Sequence, residues 1–286
     1  MNKLLGQHLL KSETAIKKII AALDIKNNET IIEIGPGKGA LTFPLINVCR
    51  ETNSKLIAIE KDPKLGSRVE GLGDSKYLKI IIGDALKILP EITKPYTLTP
   101  TPYKLVGNIP YYITGKLLRI IGELENKPDL SVLMLQKEVA ERICAEPKRM
   151  NPVRSRPAEG NATATLGRPA SNGMNLLAAA TQFWSEPKIL FSLKPADFDP
   201  PPKVNSTVIK LTNLNPKPST LNPETYYKFI HIIFKQPRKT LLNNLKDGLT
   251  MPKEEIERAL SSLKINPKTR PQNLSIEQIR ELSQIL

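Results

Sequence analysis

Short β-branched apolar runs alternate with helix-length stretches through the first 135 residues, and this alternation restricts the fold more than any other property of the chain. Glu29 to Ile34, Lys55 to Glu60, Lys79 to Ile82, Lys104 to Val106 and Leu130 to Leu135 read as five strands. Between them, Ala40 to Cys49 reads as a helix with Pro44 in its first turn. Asp62-Pro63 opens another, with Asp at the cap and Pro at the first helical position. Thr114 to Leu124 and Gln136 to Ala145 are also helical, and Ser12 is placed to cap a helix from Glu13 to Leu23. Apolar strands separated in this way imply a parallel sheet covered on both faces. Such sheets bind ligands beyond the carboxyl ends of their strands.

The chemically useful residues fall at those ends. Gly35-x-Gly37-x-Gly39 follows the first strand and precedes a helix, a loop over which a backbone can approach a nucleotide closely. It lacks the Gly-Lys-Ser/Thr ending of a phosphate loop and the full dinucleotide fingerprint. Glu60 ends the second strand, where a carboxylate can accept from ribose hydroxyls. Asp84, after the third, can accept from an adenine amino group. At the fourth, the apolar run stops at Gly107-Asn108, followed by Ile109-Pro110-Tyr111-Tyr112. A turn there can hold the Asn108 amide and nearby backbone carbonyls towards a cleft, with Tyr111 or Tyr112 offering a flat face. Two acceptors and a ring suit an exocyclic amino group. Each residue alone is equally an ordinary strand-end cap; four in succession make the case for a nucleoside-containing cofactor without a required phosphate contact.

Beyond residue 145 the pattern changes. Asn151 to Gly173 is rich in Pro, Gly, Ser, Thr and Arg and has few large apolar residues, so it cannot offset its ordering entropy. Met-Asn recurs at 150–151 and 174–175, and excising 24 residues would splice the flanks cleanly. The segment 151–173 is therefore expected to be a disordered insertion in a surface loop. Asn175 to Ser185 reads as a helix, and Lys188 to Leu193 and Ser206 to Leu211 as hairpin-related strands. From Asn222 the chain reads all-helical: to about Lys235, then Lys239 to Leu249, Pro252 to Lys264 and Ser275 to Leu286. The expected division is a domain of residues 1–212 followed by a basic helical domain of residues 213–286.

Net charge is +14, which points to a polyanionic partner. From Lys203 onward there are 14 Lys and Arg against 7 Asp and Glu, so the tail is the more basic part per residue. Cys49 and Cys144 are too few and too far apart for a metal site or disulfide framework. With no run suggesting a signal peptide or membrane span, a cytoplasmic protein is expected.

Taken together, these residues resemble the ribosomal RNA adenine N6,N6-dimethyltransferases of the small-subunit type. The matching motifs are Gly6-Gln7-His8-Leu9-Leu10, Glu33-Ile34-Gly35-Pro36-Gly37-Lys38-Gly39-Ala40-Leu41-Thr42, Glu60, Gly83-Asp84-Ala85, Asn108-Ile109-Pro110-Tyr111, the Phe198 to Ser206 segment with Lys203-Val204, and a basic helix from Phe234 to Leu245. The resemblance spans the chain apart from the insertion. It implies an α/β fold, a Rossmann-like class I methyltransferase sheet with a small C-terminal all-helical domain. It implies S-adenosyl-L-methionine as cofactor, bound by Gln7, His8, Leu10, Gly35, Gly37, Glu60, Asp84 and Asn108, with no metal. The implied catalytic set is Asn108, Ile109, Pro110, Tyr111 and Phe183, the last stacking on the target base. The implied substrate is two adjacent adenosines in a hairpin near the 3′ end of small-subunit rRNA, met by a monomer within an immature 30S-type particle. Family members commonly carry Asn at the position of His8. A non-catalytic RNA-binding assembly factor, a large-subunit rRNA methyltransferase and a DNA adenine methyltransferase remain as rival readings.

Overall fold

The computed structural model describes residues 8–94, 102–147, 173–214 and 221–286. Gln7 and all of the 151–173 insertion except its last residue lie outside the described residues. The chain divides into two compact units, Met1–Ala140 with Trp184–Asn215, and Glu141–Phe183 with Pro216–Leu286.

In chain order, the elements of the first unit begin with β1 (Leu9–Leu10), α1 (Glu13–Leu23), β2 (Thr30–Ile34), α2 (Thr42–Glu51), β3 (Lys55–Glu60), α3 (Pro63–Leu72), β4 (Leu78–Ile82) and α4 (Ala85–Ile92). They continue with β5 (Tyr103–Asn108), α5 (Thr114–Glu123), β6 (Leu130–Gln136) and α6 (Lys137–Ile143), within which the boundary between the units falls. After α7 (Leu176–Gln182) of the second unit come β7 (Ser185–Leu193), β8 (Phe198–Asp199) and β9 (Ser206–Asn213). Seven strands form one sheet in the order β4-β3-β2-β5-β6-β9-β7, and β1 pairs with β8. The five strands from β4 to β6 are parallel, as the apolar runs imply. The two strands expected to be hairpin-related form one edge, where β9 runs antiparallel to β6 and β7 antiparallel to β9. A hairpin-type return needs no crossover helix, which is why that edge escapes the strand–helix alternation.

Alternation along the strands separates two apolar layers. Ile31, Leu56, Ala58, Val106, Val132 and Met134 pack with Ile19 and Leu23 of α1, Leu45 and Cys49 of α2, and Val69 of α3. Ile32, Leu105 and Leu133 point to the other side, while α4 and α5 contact each other and bury Leu89, Leu117 and Ile121. Ser12 occupies the cap position of α1 without accepting a side-chain hydrogen bond. Asp62 does accept, from the Lys64 N–H, with Pro63 at the first position of α3.

Strand β5 differs from its reading in the sequence. It does not stop at Val106 but continues through Gly107, paired to Ile34 and Leu133, and Asn108, paired to Met134. Pro110, at φ −55°, ends the extended run. Helix α4 has no counterpart among the elements read from the sequence, because Pro90 lies inside it.

In the second unit, α7 is followed by α8 (Pro223–Ile233), α9 (Leu241–Gly248), α10 (Lys253–Ser262) and α11 (Ile276–Ile285). The expected boundary at 212/213 is corrected: residues 141–183 join the helical tail. The cause is apolar burial, since Ala145, Met174, Ala178 and Ala179 share one core with Tyr226, Ile230, Leu241, Leu245, Ile279 and Leu282. Helix α7 also ends earlier than read, at Gln182, and Ser185 belongs to β7. The basic stretch from Phe234 is likewise no single helix. After α8 a turn carries Lys235 to Lys239, and Thr240 caps α9 through the Asn243 N–H. Buried Asn244 holds that turn, accepting from the Gln236 N–H (3.0 Å) and donating to the carbonyls of Gln236 (3.0 Å) and Thr240 (3.1 Å).

Candidate active site

The carboxyl ends of β4, β3, β2 and β5 open on one shared cavity, the place where parallel sheets of this kind bind ligands. Its lining includes Gly35, Glu60, Asp84 and Asn108, one residue from or just after each of those strands. Ile34, Ile59, Ala85, Pro110 and Ile113 supply apolar walls.

Gly35 and Gly37 have φ of +69° and +60°, values an L side chain rarely adopts. The bend lays the loop against β5, so that a Cβ added at Gly35 would lie 3.8 Å from the Asn108 carbonyl. The Gly37 N–H donates to Glu60 Oε2 (3.0 Å), and the Asp62 N–H donates to Glu60 Oε1 (2.9 Å). Two backbone donors thus fix a buried carboxylate at the cavity wall, and each oxygen keeps a lone pair for a ligand hydroxyl. Gly37 acts through that hydrogen bond and does not itself line the cavity.

Asp84 has both oxygens engaged. Oδ1 caps α4 through the Leu86 N–H (3.0 Å), and Oδ2 takes the Lys61 ammonium (3.2 Å). Partial burial pushes its pKa up, but the Leu86 N–H and Lys61 outweigh that and hold the carboxyl below the usual range. Glu33, two residues before Gly35, is only 1% exposed. Burial, with the nearby Glu60 charge adding to it and the Thr42 hydroxyl opposing, raises its pKa to about 8. Burial thus favours the neutral acid at Glu33.

Asn108 is half-buried, and its Nδ2 donates to the His8 carbonyl (2.7 Å). A carbonyl only accepts, so the donor end of the amide is tied down and Oδ1 is turned away from that contact. The Ile109 N–H donates to the Met134 carbonyl (3.1 Å), fixing the peptide that follows, while the Ile109 side chain is buried. The turn Tyr111–Ile113 closes with the Ile113 N–H on the Pro110 carbonyl (3.0 Å).

The remaining expected residues are placed less directly. Leu10 is a core residue and lines no part of the cavity. His8 Nδ1 lies 2.8 Å from the Pro200 carbonyl, and its ring stacks on Tyr111 at 6.4 Å. The Tyr111 hydroxyl is bonded to Ser206 (3.1 Å), and it is Tyr112, 63% exposed, that lines the cavity. Phe183 belongs to the second unit, where its ring stacks on Tyr226 at 4.1 Å. Arg280 donates to the carbonyls of Gln182 and Phe183, both at 2.8 Å. Ile59, Lys61 and Ile113 were not singled out in the sequence. Only Lys61 had a signal, as a charge directly after Glu60.

The residues present fit a purine nucleoside cofactor: a fixed carboxylate for a diol, apolar walls for ring faces, and a second carboxylate for an amine. Among the described residues, no cluster of three or more His, Cys, Asp or Glu could hold a metal, and no helix is long and apolar enough to cross a membrane.

A family model described as ribosomal RNA adenine dimethylase matches residues 1–153 and 158–286. The ribosomal RNA small subunit methyltransferase A of Dehalococcoides mccartyi (strain CBDB1) is 34% identical over 282 residues, 97% of this chain and 86% of that protein. The Clostridium botulinum (strain Okra / Type B1) protein of the same name is 35% identical over 286 residues, covering 99% of this chain and 92% of its own length. Among solved structures, a dimethyladenosine transferase from Plasmodium falciparum superposes with a TM-score of 0.70 at 26% identity, over 96% of each chain. With the glycine loop, the strand-end carboxylates and the Asn108 turn gathered on one cavity, these matches have a single reading: this chain belongs to the ribosomal RNA adenine dimethylase family.

Proposed function

We propose that this protein transfers methyl groups from S-adenosyl-L-methionine to N6 of two adjacent adenosines in a hairpin near the 3′ end of small-subunit rRNA. It does so as a cytoplasmic monomer during small-subunit maturation. The observation that carries the reading is the Asn108 tether: the residue lines the cavity, and its amide has the donor end on the His8 carbonyl, which leaves Oδ1 as the acceptor.

Glu60 would hold the ribose diol of the cofactor and Asp84 its purine amine, with His8 towards its methionine part. When bound, S-adenosylmethionine supplies an electrophilic methyl group. Adenine N6 is a poor nucleophile because its lone pair is delocalised into the ring. Asn108 Oδ1 and the Ile109 carbonyl accept its two N–H bonds and draw the nitrogen towards a tetrahedral shape. Holding the reactants aligned removes a large entropic barrier. No side-chain base is required, since the alkylated nitrogen loses its proton to water. Tyr111 supplies a flat face for the extruded base, a stack contributing on the order of 1–3 kcal/mol. The turn bearing Lys235, Arg238 and Lys239, with Lys246 on α9, holds the RNA backbone without reading sequence.

The test is methylation of purified immature small subunits, mapped by mass spectrometry. Two adjacent dimethyladenosines in one hairpin are expected. Methylation confined to large-subunit RNA or DNA, or none at all, would overturn the assignment.

A further inference from the structure

We propose that Lys61 competes with the cofactor's purine for Asp84, and so sets how sharply the cavity tells a 6-amino from a 6-oxo purine. The inference rests on the reading of Asp84 as the acceptor for the purine amine. Asp84 Oδ1 is held by the Leu86 N–H at the cap of α4, whereas Oδ2 has the exposed Lys61 side chain as its partner, so Oδ2 is the oxygen that an amine can take over by exchange. That oxygen already carries the Lys61 ammonium at 3.2 Å, and both residues line the cavity. An amine approaching Oδ2 therefore displaces or crowds a charge-assisted hydrogen bond. Lys61 can leave cheaply, because its side chain is 53% exposed and regains water at once.

The same ammonium has the opposite effect on a 6-oxo purine. A bare carboxylate repels a carbonyl oxygen, whereas an ammonium held beside the carboxylate donates to it. Lys61 thus weakens binding of the amine and supports binding of the oxo group.

The experiment is calorimetry of S-adenosylhomocysteine and S-inosylhomocysteine with the full chain carrying Lys61→Met, Lys61→Ala or Asp84→Asn. Both Lys61 variants should bind the adenosyl compound about two- to fivefold tighter, the range set by parting an exposed ion pair. They should bind the inosyl compound more weakly, widening the ratio between the two. Weaker or unchanged adenosyl binding in both Lys61 variants would overturn the proposal. Asp84→Asn keeps the α4 cap, since Asn is as good a cap as Asp, so it reads the pocket and not the fold. If Asp84→Asn binds the adenosyl compound like wild type, the purine-acceptor reading falls and this proposal with it. If Asp84→Asn weakens binding while the Lys61 variants fail to tighten it, only the competition is refuted.

Discussion

Gly107→Ala tests how Asn108 is brought to the cavity. A Cβ at Gly107 would lie 2.6 Å from the Ile34 carbonyl oxygen and 2.9 Å from Ile109 Cδ1. Ordinary contact begins near 3.4 Å, so β5 must withdraw from the end of β2 by about 0.8 Å. The Ile109 side chain can rotate away, but the Ile34 carbonyl is part of the sheet and cannot. Overpacking of this kind costs roughly 1–3 kcal/mol, which lowers the melting temperature of a unit this size by about 2–4 °C per kcal/mol. The effect on rate is larger. A displacement approaching 1 Å at a positioning group costs about 10²-fold, and the residue displaced is the neighbour of Asn108. Methyl incorporation into immature small subunits should therefore fall about 10- to 100-fold in Gly107→Ala, while the melting temperature drops by about 2–12 °C. Gly107→Ala/Ile109→Val should recover a minor part, because the backbone clash remains. A folded Gly107→Ala protein turning over at the wild-type rate would refute the claim that the 34–107 approach positions Asn108.

Other consequences can be measured separately. Glu33 has its pKa raised from 4.5 to about 8, so between those pH values the folded chain holds a proton that the unfolded chain has lost. Stability should fall as pH rises through that window and level off above it. Glu33→Gln should flatten the dependence, and an unchanged slope of melting temperature against pH would refute it. Lys104 and Glu29 form a buried ion pair at 2.8 Å. Lys104→Met strands the carboxylate and should cost about 3–5 kcal/mol in urea unfolding, while Glu29→Leu/Lys104→Met should recover most of it; an unmoved midpoint in the single variant contradicts this. Lys235→Ala and Arg238→Ala should each lower the slope of log affinity against log salt for RNA by about 0.7–0.9. Lys239 already pairs with Asp247 at 3.1 Å, so its removal should change the slope less.

The strand ends were the most legible part of the site, because a parallel sheet forces its chemistry to one edge and the apolar runs mark where each strand ends. Glu60, Asp84, Gly35 and Asn108 were legible for that reason. Whether a carboxylate is free or already bonded depends on partners distant in sequence, so nothing in the chain order revealed that Lys61 occupies Asp84. The extension of β5 through Gly107 was hidden because glycine reads as a terminator, whereas here it permits close approach to Ile34. The membership of α7 in the helical unit was equally hidden, since its small residues Ala178 and Ala179 find their partners on α8 and beyond. Tyr111 and Tyr112 are adjacent and alike in sequence; the turn that sends one to Ser206 and the other to the cavity decides between them.

In the proposed reaction the Asn108 side-chain oxygen presents the adenine amine for methylation. Asn108→Ala measures it most directly, with methyl transfer, S-adenosylhomocysteine binding and RNA retention followed on one preparation. Loss of a single preorganised hydrogen-bonding group in a site of this kind costs about 10²–10³ in rate. Transfer should fall by at least that much while cofactor binding and RNA retention persist. Full transfer in Asn108→Ala, with binding intact, would contradict the account.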